Sequence, residues 1–460
     1  MKKIIITAGV KKKILKYLLI AVAAIVIIAG ITVFTLFETG VILVQSPFEK
    51  SSIKRIDLSV PTPDIPQDLK YLFDLQTVDI RDGYMAHPDS VLLKNGNILQ
   101  MYPAGHGKGA VLNKISTDGG LTYDQKIENT PKSWEKSLET PTVYRLEFKK
   151  EGVSDKLIMI SACPLWGKEE SSGGFNCSVS NDEGNTWSEF ELFYPLTEGG
   201  TYPIVAMASL TRLKENGEFV DEWMGFFHDR YFNNYKSILT FDDNGKANWS
   251  KPKKYFSRWL RMEKGSRMCE VEVIRSDKGL GDELCLITRS QTKLCNSLIS
   301  FSKDEGKTWS RPKELPSSLN GERFKAEYTT DGRLLIAFRS IERDKEGRDK
   351  YVNGGTFYSE GPAMWVGTYD DLKNGADGQY RIKFAHTYLD GQTEPEINAN
   401  GDTGYCGNTV LPDGTFVIST YGKFSPNEKY VNEKGETVLK TYITSKRINL
   451  KDIDALANLS

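Results

Sequence analysis

An octet of the form Ser-x-Asp-x-Gly-x-Thr-Trp recurs along this chain and restricts its fold more than any other feature. Clear copies span residues 116–123, 180–187 and 302–309, the first with Tyr123 in the aromatic place, and a stretched copy spans 240–249. The physics of the octet, an Asp box, is local. The Asp carboxylate can bond backbone amides of its own turn, the Gly supplies positive φ, and the ring covers neighbouring strands. Such a box is a turn staple and carries no catalysis. Its spacing is what informs: Asp118, Asp182, Asp243 and Asp304 lie 64, 61 and 61 residues apart. A unit of that length, with room for about four strands, is the mark of a β-propeller.

A second repeat counts the blades. Strand–turn–strand segments, several with an Asn-Gly or Asp-Gly turn, begin at His87, Glu139, Val205, Glu270, Lys325 and Tyr405. They predict an all-β, six-bladed propeller over residues 76–460. A domain of roughly 385 residues exceeds the usual limit for one core, which a propeller escapes because each blade packs on its neighbours. In this architecture the inner strands bring their terminal side chains to one central pit. The side chains expected there are His87, Asp89, His106, Glu139, His228, Glu270, Glu272, Arg289, Arg339 and Tyr405.

The N-terminus is of another kind. Residues 1–16 carry six lysines, and residues 17–37 run for 21 positions without a charge. At about 1.5 Å per residue that stretch spans a ~30 Å hydrocarbon core. Lysines before it and Glu38 after it predict a cytoplasmic N-terminus and an extracellular propeller. A cleaved signal peptide would have an apolar region of only ~7–15 residues followed by a small-x-small site. The reading is therefore a retained single-pass anchor in the cell membrane. Residues 38–75, with Pro47, Pro61, Pro63 and Pro66, read as a stalk. A net charge of −1 gives no reason to expect nucleic acid. The six cysteines form no C-x-x-C pair, so a structural zinc site is not expected; Cys163 and Cys177 are candidates for a disulfide in an oxidising exterior.

Asp boxes on six blades resemble the sialidases (neuraminidases), over roughly residues 80–425. The resemblance implies a Tyr nucleophile whose proton passes to a Glu, an Asp acid/base and an arginine triad for the sugar carboxylate. A phenol near pKa 10 needs an adjacent carboxylate to become nucleophilic. Cys269-Glu270-Val271-Glu272-Val273-Ile274, then Arg289, then the box at 302–309, is similar to the family's Glu-bearing blade. Period-2 alternation puts Glu270 and Glu272 on one face, with Glu270 preferred as the base. Gly404-Tyr405-Cys406 before an Asp-Gly turn is similar to the step carrying the nucleophile, and Arg339, with Arg343 as the register alternative, matches an arginine of the triad.

Other positions depart from the family. Ala86-His87-Pro88 stands where the family has Arg-Ile-Pro, and Tyr421-Gly422 where a steadying carboxylate is expected. The loop Gly105–Ile115, where the acid/base Asp belongs, offers His106 and Lys108 and no carboxylate. His106, Asp89 or Glu139 are the candidate substitutes. The leading reading is thus a membrane-anchored, sialidase-like glycoside hydrolase using Tyr405 and Glu270, with Arg289, Arg339, His87, Glu139, Glu272 and His228 around a carbohydrate other than, or besides, sialic acid. The alternative is a non-catalytic surface propeller that binds glycan or protein. A metal-assisted enzyme using His87, Asp89, His106 and His228 lacks supporting local spacing, and no cofactor is called for. Trp134, Trp166, Tyr102 and Tyr84 are loop aromatics that could stack on sugars.

Overall fold

The computed structural model describes residues 8–38, 51–293, 295–341, 361–395 and 402–459. The boxes act as the local physics requires. Asp182 accepts from the Thr186 amide at 2.9 Å and the Thr186 hydroxyl at 2.6 Å, while Ser180 Oγ accepts from the Gly184 amide at 2.9 Å. The box at 302–309 repeats this, and its Gly306, at φ 69°, would bring a Cβ within 2.5 Å of Met224 Cε on the preceding blade. Trp309 packs with Met224 and Phe226, so the staple also joins two blades. In the stretched copy the staple is Asp242, which accepts from the Asn244 and Lys246 amides at 2.9 Å, and not the solvent-facing Asp243.

Six sheets follow in chain order. Blade 1 holds Asp89–Leu92, Ile98–Pro103 and Val111–Ser116; blade 2 holds Thr142–Leu146, Lys156–Ala162, Phe175–Ser180 and Glu191–Phe193. Blade 3 is built on Pro203–Glu215, Glu218–Asp229 and Asn234–Phe241, and blade 4 on Met268–Arg275, Leu284–Ser290, Leu298–Ser302 and Lys313–Glu314. Blade 5 holds Gly321–Tyr328, Leu334–Ser340, Pro362–Gly367 and Tyr380–Lys383, and blade 6 Cys406–Val410, Phe416–Gly422 and Tyr442–Ile448. The first strand of each blade packs on the first strand of the next, and blade 6 returns to blade 1. The expected six-bladed propeller is present.

The N-terminal segment closes the ring. Gln76–Asp79 pairs antiparallel with Tyr442–Ile448 as the outer strand of blade 6. Lys54–Asp57 pairs parallel with Tyr380–Lys383 as a fifth strand on blade 5. Buried Lys446 holds the intervening chain, donating to the carbonyls of Leu58 at 2.8 Å and Leu72 at 3.0 Å. The stalk expected over residues 38–75 is therefore corrected: from residue 51 the chain is part of the propeller, because Ile56 and Leu58 at its strand and Leu69 and Leu72 on its short 3-10 helix are buried in the blade 5–blade 6 core.

Ala8–Glu38 is an exposed apolar helix long enough to cross a bilayer, a form shared by anchors and signal sequences. All six cysteines are buried, and the candidate Cys163–Cys177 disulfide is not formed.

Candidate active site

Bulges at the heads of the inner strands aim the pit. The blade 4 ladder slips between Cys269 and Glu272, and the blade 5 ladder between Glu322 and Lys325. At these slips Glu270 and Arg323 take φ 50° and 51°, and His87 takes 51° at the head of blade 1. A non-glycine residue holds such a conformation only where its surroundings impose it, and bulges of this kind re-aim side chains. The slip turns Glu270 into the pit and sends Glu272 down the channel, where it accepts from the Ala326 amide at 3.0 Å. The expectation that both share a face is corrected, because the extra residue breaks the alternation.

Tyr405 enters from the head of blade 6. Gly404 before it has φ 88°, and a Cβ there would lie 3.1 Å from Arg339 Cβ, so only glycine lets the two backbones approach. The Tyr405 hydroxyl lies 2.9 Å from both carboxylate oxygens of Glu270. It accepts from Arg289 Nη1 at 2.6 Å and Arg339 Nη2 at 3.1 Å. Its ring lies between the Arg339 guanidinium, 4.4 Å away, and the His87 ring, stacked at 4.9 Å. Sequence reasoning therefore brought Tyr405, Glu270, Arg289, Arg339 and His87 to one place, and the structure puts them there.

The electrostatics divide the labour. Burial pushes the Tyr405 phenol well above its usual pKa, although Arg289 and Arg339 oppose it, so the resting phenol keeps its proton. Burial is the largest influence on Glu270 and opposes its ionisation, but Arg289, His228 and Arg339 together outweigh it and hold the carboxyl below its usual value. A protonated phenol facing an ionised carboxylate can give up its proton to that carboxylate as its oxygen attacks an electrophile. Glu322, missed in the sequence, is fully buried between Arg289 Nη2, at 3.1 Å, and Arg339. Against its burial, Arg289, Arg339 and Lys293 hold it down to about 2. Its register partner is Arg339, as Cys269 is the partner of Arg289; aligning blade 5 on blade 4 from Gly321 would have found it.

Glu139 heads blade 2. Its Oε1 accepts from the Thr140 amide at 2.9 Å, and buried Oε2 has no partner among the described residues. Burial pushes its carboxyl up to about 7. Thr140 Oγ1 lies 3.0 Å from His87 Nδ1, which ties Glu139 to the His87–Tyr405 stack. Burial, followed by His106, keeps His87 neutral, with its pKa well below the ordinary imidazole value. His106 stands exposed at the mouth, 2.7 Å from the Tyr84 hydroxyl and 3.4 Å from Asp402, a carboxylate that sequence reasoning also missed. His228 is buried behind the site, stacked on Phe232, with its pKa pushed down to about 4 by burial.

Asp89 does not join this group. Two residues down the inner strand from His87, it pairs with Lys325 Nζ at 3.0 Å and accepts from the Val143 amide at 3.0 Å. It is a brace between blades 1, 2 and 5. Of the loop aromatics, Trp134 and Tyr102 are core residues, whereas Trp166 is 46% exposed. Arg343 lies outside the described residues. Among the described residues no three His, Cys, Asp or Glu side chains group to hold a metal ion.

Residues 125–350 match the BNR repeat-like domain family. The match covers blades 2 to 4 in full, and the fold that carries it is a six-bladed propeller. No curated protein matches the chain in sequence. Among solved structures the propeller is similar to the α-L-arabinofuranosidase of Fusarium graminearum in complex with an iminosugar inhibitor, at 11% identity and TM-score 0.51, covering 83% of this chain and 99% of that one. It is similar to the α-L-arabinanase of Penicillium chrysogenum complexed with arabinobiose, at 12% identity and TM-score 0.50, covering 82% and 98%. A NanB sialidase variant of Streptococcus pneumoniae aligns at 13% identity and TM-score 0.49, covering 82% and 71%. At these identities the likeness is one of fold.

Proposed function

We propose that the propeller is a retaining glycoside hydrolase acting on a neutral sugar, with Tyr405 as nucleophile, Glu270 as its base and Glu139 as acid/base. The observation that carries this is the Tyr405 hydroxyl bridging both oxygens of Glu270 under two guanidinium groups. In the first step the Tyr405 oxygen bonds to the anomeric carbon and its proton passes to Glu270. Glu139 gives a proton to the departing oxygen. Glu139 then takes a proton from water, whose oxygen attacks the same carbon; Tyr405 leaves and recovers its proton from Glu270.

The charges of the pit support a neutral sugar. Arg289 is committed to Glu270 and Glu322, Arg339 to Glu322, and His87 is uncharged where a third cation would stand. A sugar carboxylate would have to displace Glu322 from both guanidiniums. The arabinan-directed names of two relatives of this fold point the same way.

The helix Ala8–Glu38 is proposed as a retained anchor with the propeller outside the cell; N-terminal sequencing of the membrane fraction that began after residue 38 would refute retention. Because that helix contributes to no blade, a fragment lacking residues 1–45 keeps every sheet. Assayed against neutral, uronic and sialic glycosides, it should turn over a neutral one, and Tyr405→Phe and Glu270→Gln should both abolish this. The second reading, a glycan-binding propeller without catalysis, is favoured by the saturated state of the Tyr405 hydroxyl, which already engages three side chains. Absence of turnover from a folded fragment would select it.

A further inference from the structure

Trp166 sits in the loop between Lys156–Ala162 and Phe175–Ser180 of blade 2 and is the largest exposed aromatic of the propeller. A single exposed aromatic is ordinary; this one is pinned. Its indole Nε1 donates to the carbonyl of Leu138 at 3.1 Å, and its backbone amide donates to Glu169. The loop is closed at its base by Ser171 Oγ donating to the Cys163 carbonyl at 2.7 Å. No other ring or cation stacks on the indole among the described residues. Leu138 immediately precedes Glu139, so the indole is tied to the backbone next to the residue whose buried Oε2 has no partner among the described residues. The bare ring is thus already ordered, and stacking on it costs no further ordering of the protein.

The position relative to Tyr405 gives this a direction. Tyr405 enters from blade 6 and Glu139 from blade 2, with His87 of blade 1 between them. In a displacement the leaving group departs on the side opposite the nucleophile, here toward blade 2. We infer that Trp166 is the floor of a leaving-group subsite that stacks on the apolar face of a second sugar, so that the substrate is an oligosaccharide cleaved between the pit and the indole. This deepens the hydrolase reading and rests on it for the direction of cleavage.

The test separates binding from turnover. In a Tyr405→Phe background, neutral disaccharides (arabinobiose, xylobiose, galactobiose, cellobiose) and their monosaccharides are titrated calorimetrically. At least one disaccharide should bind about tenfold tighter than its monosaccharide, a difference of about 1.4 kcal/mol, and Trp166→Ala should erase that difference while Trp166→Phe keeps part of it. Equal disaccharide binding with and without the indole, or no disaccharide preference at all, overturns the subsite. In the active protein Trp166→Ala should lower kcat/KM on the disaccharide at least tenfold and leave the glycosyl fluoride, which has no second sugar, within twofold. Equal losses on both overturn it. Indole-dependent binding without any turnover would refute the hydrolase and leave the subsite standing.

Discussion

Tyr405 and Glu270 lie 135 positions apart in the chain, yet the phenol oxygen of one is 2.9 Å from each carboxylate oxygen of the other. Two features make the approach possible: the glycine at 404 and the bulge at 270. Each is a local irregularity in an otherwise regular inner strand. Together they bring the heads of the inner strands of blades 4 and 6, which the inner strand of blade 5 separates, into one hydrogen-bonded couple.

The first prediction concerns that couple. Tyr405→Phe removes one oxygen and leaves the Arg289–Glu270 pair in place, so the protein should fold with its melting temperature nearly unchanged. Hydrolysis should fall by at least about 10²–10⁴-fold, the range associated with loss of acid/base chemistry. Glu270→Gln should match it in rate. Retention of a tenth of the wild-type rate by either variant would refute the assignment.

A second prediction concerns pH. With Glu139 pushed up to about 7, the proton needed by the leaving group is lost above that pH, so activity should decline through neutrality on its alkaline side. In Glu139→Gln the limb should vanish, and dinitrophenyl glycosides, which need no acid, should be the substrates least affected. The same shift affects stability. The folded value lies above the unfolded one near 4.5, so the contribution of the neutral carboxyl is full below about 4.5 and is lost as pH rises through about 7. Wild type should lose on the order of 2–3 kcal/mol relative to Glu139→Gln between those limits, measured by denaturant unfolding at a series of pH values.

Glu322 yields the third. Its replacement by Gln leaves two buried guanidiniums without their shared carboxylate, which should cost about 3–5 kcal/mol. The vacated charge should attract anions. Glucuronate or sialic acid should bind Glu322→Gln measurably tighter than wild type by calorimetry, and a variant indifferent to both would show that Glu322 does not set the charge preference.

The Asp boxes supply the fourth. Asp304 bonds only its own turn, accepting from the Thr308 amide at 2.8 Å and from the hydroxyls of Thr308 and Ser302. Asp304→Ala should lower stability by roughly 1–3 kcal/mol and leave kcat and KM unchanged. A selective loss of activity at full stability would mean the box has a role beyond stapling.

The blade count and the members of the central couple were legible because both rest on short-range patterns, the box spacing and the residues at strand heads. What failed did so for physical reasons. Alternation placed Glu272 beside Glu270, but a bulge is invisible to a period-2 rule. Asp89 was drawn into the pit because the inner strand starts there, although two residues of strand rise, about 6.6 Å, carry it below the floor to Lys325. Glu322 was passed over because the fifth repeat was started at Lys325, three residues late. The proline-rich segment after the helix reads as a linker by composition, whereas its burial depends on partners nearly four hundred residues away, such as Lys446.

The fifth strand of blade 5 also has a mechanical meaning. Any tension applied to the chain through its N-terminal helix reaches the propeller first at Lys54, whose strand is laid along Tyr380–Lys383 and whose side chain is fastened to the Ala457 carbonyl in the terminal helix Leu450–Ala457. Three strands stand between that edge and the inner strand that carries Glu322. A pull is therefore shed into the rim of the disc, and the hub, where Tyr405 meets Glu270, stays out of the load path.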